Sequence, residues 1–195
     1  RPTNRGYRPS SQTIRCENVR VPADIESNTS SGNTTCIVAG GGPAGIMLGL
    51  LLARGGVDVT VMEKHADFLR DFRGDTVHAS TLRLLDELGL ASEFARMPHR
   101  EIDTLTMSVQ GTEVAIDLSR IPGPHKHIAL VPQWDFLELL AAAAEKEPTF
   151  RLLRSTEVLG PIFAEGPRKD KVVGVRYRGA DGEVREMRAA LTVAC

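Results

Sequence analysis

The sequence predicts an α/β fold, a parallel βαβ unit with an antiparallel β-hairpin layer added to it. Three observations predict it. A strand, glycine turn, helix, strand and acid follow one another over residues 36–63. A later helix is opened by a proline at position 132. Two alternating strands at about 102–118 break the βαβ rhythm.

The first element is the apolar run Ile37 to Ala39, suited to a strand buried on both faces of a parallel sheet. Gly40, Gly42 and Gly45 follow in G-x-G-x-x-G spacing. The first glycine permits the tight turn, the second lets backbone approach a diphosphate, and the third lets the helix lie close to the strand. The helix from Ile46 to Arg54 points its positive end at whatever sits above the turn. Gly45, Gly49 and Ala53 fall four apart, which strips one helix face for close packing. The second strand, Val57 to Met62, ends at Glu63. Glu63 lies 18 residues beyond Gly45, near the ~20 expected of the acid that accepts hydrogen bonds from an adenosine ribose. The context makes a Rossmann-like dinucleotide-binding unit. The plainer alternative is a glycine-rich turn in an ordinary α/β domain, with Glu63 a solvated strand-end charge.

Before this unit, residues 1–34 are poor in apolar side chains and form an appended or disordered segment. Ser27 to Thr35 is turn and linker chemistry. The domain proper is read as 35–195. After Lys64 comes a loop, His65 to Val77. A helix follows from about Ser80, its N-cap, to Leu88, with Gly89 at the C′ position. Ala91 to Arg96 adds a helical turn. Ile102 to Val109 and Glu113 to Leu118 alternate as strands about Gln110-Gly111-Thr112, a hairpin facing a substrate-side layer. Ile128 to Val131 is a strand. Pro132 then takes the first position of a helix that buries Leu137, Leu140 and Ala144 and ends by Pro148. The last third is strand-rich. Lys171 to Tyr177 and Glu183 to Met187 flank a turn at Gly179 to Gly182, and Ala190 to Cys195 forms a final strand.

The 195 residues suffice for one domain with a sizeable core, and 42% hydrophobic and 25% charged residues are ordinary for a globular protein. A net charge of −1 implies no nucleic-acid partner. The longest apolar run, Ile46 to Ala53, is too short for an integral membrane segment. Three widely spaced cysteines (Cys16, Cys36, Cys195) without a C-x-x-C, and the lack of a signal-peptide pattern, fit a reducing, cytoplasmic location. His78, His125 and His127 form no metal-ligand pattern and are read as loop residues. Trp134 is read as a packing residue.

Four separated pieces resemble the flavin-dependent aromatic hydroxylases, the group A flavoprotein monooxygenases related to para-hydroxybenzoate hydroxylase. They are Gly40-Gly41-Gly42-Pro43-Ala44-Gly45, then Glu63-Lys64, then Phe72-Arg73-Gly74-Asp75-Thr76-Val77-His78, and Val131-Pro132-Gln133-Trp134 opening a helix. The resemblance covers residues 35–195 in the family's order. It implies FAD as cofactor, NAD(P)H as co-substrate, and O2 with an aromatic or polyketide-like small molecule as substrates. It implies that Gly40, Gly42, Pro43, Ala44 and Gly45 hold the pyrophosphate and that Glu63, beside Lys64, takes the ribose hydroxyls. Arg73 is implied to grip phosphate or ribose oxygens, and Gln133 the phosphate–ribitol region. Taken alone, Arg73 also suits an exposed ion pair with Asp71 or Asp75, and Gln133 a first-turn helix residue. The family continues with an Asp-Gly and a later Gly-Asp motif, so the sequence is read as an FAD-binding domain truncated at its C-terminus, with no catalytic residue of its own. Two alternatives stay open: an NAD-dependent dehydrogenase on the same βαβ unit, or an inactive fragment.

Overall fold

The computed structural model describes residues 33–69 and 76–195. Strand β1 (Asn33–Ala39) leads through the glycine turn into α1 (Pro43–Arg54), and β2 (Val59–Met62) follows. After β3 (Thr76–Val77) come α2 (Ala79–Glu87), α3 (Ala91–Ala95) and β4 (Arg100–Ile102). The hairpin strands are β5 (Thr104–Val109) and β6 (Thr112–Asp117). Then come β7 (Ile128–Leu130), α4 (Gln133–Ala144), β8 (Phe150–Leu153), β9 (Glu157–Phe163), β10 (Val172–Arg178) and β11 (Val184–Ala194).

Six strands make the main sheet in the order β8-β2-β1-β11-β10-β9. The first four run parallel, and β10 and β9 add antiparallel. This is the α/β architecture expected, with the nucleotide-type unit at its centre. Cys36, Val38, Val59 and Val61 pack under α1 and α4 in the main core, among Leu50, Leu137, Leu140 and Phe150. Ile37 and Met62 belong to a second cluster with Val175 of β10 and Met187 of β11. The βαβ strands are therefore apolar on both faces, which is why they read as unbroken runs rather than alternating ones.

The face of α1 without side chains fits tightly. A Cβ on Gly49 would lie 2.7 Å from Val61 Cγ2 and 2.8 Å from Phe150 Cε2. Gly49→Val should cost about 1–3 kcal/mol of stability through overpacking, read as a lower urea midpoint at unchanged slope.

Several boundaries differ from expectation. β1 begins at Asn33, so Asn33 to Thr35 are strand rather than linker; the Thr34 hydroxyl donates to Asp58 O at 3.0 Å. β2 begins at Val59 rather than Val57. Ser80 is not the cap of α2. His78 is, its carbonyl accepting from Thr81 and Leu82 N–H groups, and Ser80 lies inside the helix. At the other end Gly89 (φ +69) stands at C′ as expected. The Gly89 N–H donates to Asp86 O and the Leu90 N–H to Leu85 O, a complete Schellman pair. Pro132 caps α4 instead of entering it, and α4 ends at Ala144, ahead of Pro148. Glu183 to Met187 and Ala190 to Cys195 are not two strands. They are one, β11, whose partner changes along its length from β10, antiparallel, to β1, parallel.

The hairpin forms its own two-stranded sheet, turning on Gln110 (φ +52) and Gly111 (φ +80), the paired left-handed conformation of a tight hairpin. A separate three-stranded sheet has the order β3-β7-β4, and Val77 of β3 and Ala129 of β7 belong to the main core. The loop before β7 is tied down by His125 Nε2, 2.7 Å from Asp86 Oδ2, and by His127 Nε2, 3.5 Å from Glu101 Oε1. Trp134 packs against the main core. Among the described residues no helix is long and apolar enough to cross a membrane.

Candidate functional site

The glycine turn is walled in by backbone on one side and open on the other. Gly40 adopts φ +116, donates its N–H to Met62 O at 2.9 Å, and would place a Cβ 2.2 Å from Cys195 O at the end of β11. Gly45 would place a Cβ 1.9 Å from Gly40 O. No side chain fits at either position without moving main chain. Gly42 is the opposite case: nothing lies within 4 Å of its Cβ position. Gly40 and Gly45 therefore let the turn close on itself, while Gly42 leaves the space above it clear.

That space lies at the N-terminus of α1. Gly42 caps the helix without a side-chain bond, and the first intrahelical bond runs from the Ile46 N–H to Gly42 O. Helical geometry leaves the N–H groups of Ala44 and Gly45 without intrahelical acceptors, and Pro43 has no N–H to satisfy. No acid stands in the first turn of α1, so the helix itself supplies no carboxylate against the positive end of its dipole. Pro43 and Ala44 are exposed.

Glu63 closes the back of the turn. It is 2% exposed, its Oε2 accepts from the Gly41 N–H at 2.9 Å, and its Oε1 accepts from the His65 N–H at 2.9 Å. Glu63 is thus no solvated strand-end charge. The structure also singles out Gly41, which the spacing pattern passes over. A Cβ there would lie 2.7 Å from Glu63 Cβ. The run of three glycines ahead of an acid at the next strand end was the available signal.

Lys64 is exposed beside Glu63. Gln133, in the first turn of α4, is half-buried and joins Pro43 and Ala44 in lining a cavity of about 420 Å³, which Met47, Val77 and Phe136 also border. The cavity falls in the usual range for small-molecule sites, ~300–1,000 Å³. Arg73, with Phe72 to Asp75, lies outside the described residues; Thr76 and Val77 from the same motif form β3. Burial pushes the Cys36 thiol above its ordinary pKa, with Cys195 adding to the effect, so Cys36 is a protonated core residue beneath the site.

A bare turn, a helix N-terminus with no acid in its first turn, a carboxylate held behind the turn and an adjoining apolar cavity together suit an elongated, doubly phosphorylated cofactor. Comparison with known proteins agrees. Residues 33–195 match the family profile described as FAD binding domain. The 6-methylpretetramide 4-monooxygenase of Streptomyces rimosus is 34% identical over 166 residues, covering 85% of this chain and 38% of that protein. The rifampicin monooxygenase of Streptomyces venezuelae is 31% identical over 162 residues, covering 82% of this chain and 31% of that protein. Among solved structures, an anhydrotetracycline hydroxylase from Streptomyces rimosus is similar with a TM-score of 0.70 at 29% identity, over 84% of this chain and 31% of that one. The chain thus spans only about a third of the length of these relatives. Matched over all but its first 32 residues, this chain belongs to the FAD binding domain family.

Proposed function

We propose that this chain is the cofactor-holding part of an NAD(P)H-dependent flavoprotein monooxygenase acting on an aromatic or polyketide-like small molecule. The observation that carries the reading is the clear space over Gly42 at the mouth of α1, with Glu63 locked 2.9 Å from the Gly41 N–H behind it. The relatives' names support the reaction class: both are monooxygenases, one named for 6-methylpretetramide and the other for rifampicin. The family match favours FAD over the NAD of a dehydrogenase.

In this reading the Ala44 and Gly45 N–H groups and the α1 dipole neutralise the pyrophosphate, for which Gly40, Gly42 and Gly45 make room. Glu63 takes the ribose hydroxyls. Exposed Lys64 adds positive charge at the same edge, and Arg73 supplies a planar fork for phosphate or ribose oxygens. Gln133 holds the phosphate–ribitol region from across the cavity it shares with Pro43 and Ala44. Bound FAD would supply the redox chemistry with NAD(P)H and O2 that no side chain can. The polypeptide's part is to bind and orient, so no residue is assigned a catalytic role. A reducing, cytoplasmic setting suits the free thiols of Cys36 and Cys195.

Thermal melting with FAD tests the reading. FAD at a hundred times its dissociation constant should stabilise the native state by about 2.7 kcal/mol, a rise of several degrees, whereas NAD at the same concentration should leave the midpoint in place. A midpoint unmoved by FAD in both this chain and a longer form would sink the proposal.

A further inference from the structure

Two arms of the proposed FAD site come from different parts of the chain. One is the loop that follows β2 and begins with Glu63. The other is α4, whose first turn carries Gln133. Arg154, just past the end of β8, touches both. Its two terminal nitrogens donate to Glu138 of α4, Nη1 to Oε1 and Nη2 to Oε2, each at 2.9 Å. The guanidinium carbon sits 4.3 Å from the ring centroid of Phe68 in the loop after β2. Phe68 is only 3% exposed. One planar group is therefore held between a carboxylate on one arm and an aromatic face on the other, a geometry that arginine supports and lysine does not.

The backbone around Arg154 is pinned to the same loop. The Ser155 N–H donates to His65 O at 3.0 Å, the Thr156 N–H to Glu63 O at 2.8 Å, and the Glu63 N–H to Leu153 O at 2.8 Å. Ser155 adopts φ +51, an uncommon conformation for a residue with a side chain, which persists where neighbouring contacts over-determine it. The hydrogen bonds that Arg154 donates to Glu138 raise the Arg154 pKa, and Glu145 and Asp67 add to the acidic surroundings.

We infer that Arg154 is a positioning residue for the cofactor site: its Glu138 fork and Phe68 stack hold the Glu63 loop at a set distance from the Gln133 helix. Arg154 makes no cofactor contact in this scheme. It lowers the ordering cost of binding by holding the receiving loop in place beforehand. The inference rests on the proposed FAD function.

The test compares wild type with Arg154→Met, Arg154→Lys and Glu138→Gln in the full chain. Amide hydrogen exchange is measured without FAD, alongside FAD affinity and the apo melting temperature. In Arg154→Met, exchange at residues 64–69 should quicken by about tenfold with protection in α1 and β1 unchanged, and FAD should bind about tenfold more weakly. Arg154→Lys keeps the charge without the fork and should fall between wild type and Met. Glu138→Gln should move exchange at 64–69 in the same direction. Unchanged exchange at 64–69 in Arg154→Met would overturn the inference, as would a loss of protection spread evenly over α1 and β1. If neither wild type nor a longer form binds FAD, the functional reading fails, while the exchange comparison still decides the clamp.

Discussion

Gly45→Ala should abolish tight FAD binding and cost about 3 kcal/mol of stability, the upper end for an overpacked site. The added methyl would fall 1.9 Å from Gly40 O, and that oxygen belongs to main chain fixed on its other side. The Gly40 N–H is bonded to Met62 O, and the end of β11 lies against the Gly40 Cα. Relief requires the turn to open or α1 to lift from the sheet, and either move shifts the Ala44 and Gly45 N–H groups. Gly42→Ala is the matched control. Its φ of −73° suits alanine and its Cβ position is clear, so the fold should keep its melting temperature while the methyl intrudes on the space assigned to the pyrophosphate. The pair separates folding from binding: Gly45→Ala loses both, and Gly42→Ala loses FAD affinity alone. Equal FAD affinity in Gly42→Ala and wild type would show that the space over the turn is not the binding site.

Replacing Glu63 should have an effect of similar size for a different reason. Glu63→Ala removes the acceptor from two N–H groups, those of Gly41 and His65. A buried donor left unmade costs about 1–3 kcal/mol, so the variant should lose about 2–4 kcal/mol by denaturant titration. Glu63→Gln keeps one carbonyl oxygen but turns an amide NH2 toward the other donor, and should fall between. FAD affinity should drop in both variants by more than their stability loss accounts for, because the ribose loses its acceptor as well. If affinity falls only in proportion to stability, Glu63 is a brace for the turn and does not contact the sugar.

Much of this was legible in the chain because it is local. The glycine spacing, the strand ahead of it and the acid one strand later are all set within residues 36–63, and the hairpin declared itself through the alternation of Val114 and Ile116 about Gly111. The misses have one physical origin, partners distant in sequence. Glu183 to Met187 and Ala190 to Cys195 looked like two strands because their chemistry changes midway. The change reflects a switch of partner from β10 to β1, which no local pattern records. Ser80 is a better N-cap than His78 by residue type, yet the chain leaving β3, paired with β7, turns two residues earlier and places the helix start at Ala79. Arg154, Glu138 and Phe68 come from three segments, and only tertiary packing makes them neighbours.

β1 sits between β2 and β11, and its first pairing with β11 joins Asn33 to Arg188. On a translating ribosome, at ~5–20 residues per second, roughly 8–30 seconds separate the emergence of those two partners. During that interval the nascent chain holds the glycine loop and α1 with one flank of the central strand uncovered. The carbonyl that walls Gly40 arrives with the last residues of β11. Long-range pairing of this kind slows folding, so a nucleotide meeting the nascent chain early finds a half-built receptacle.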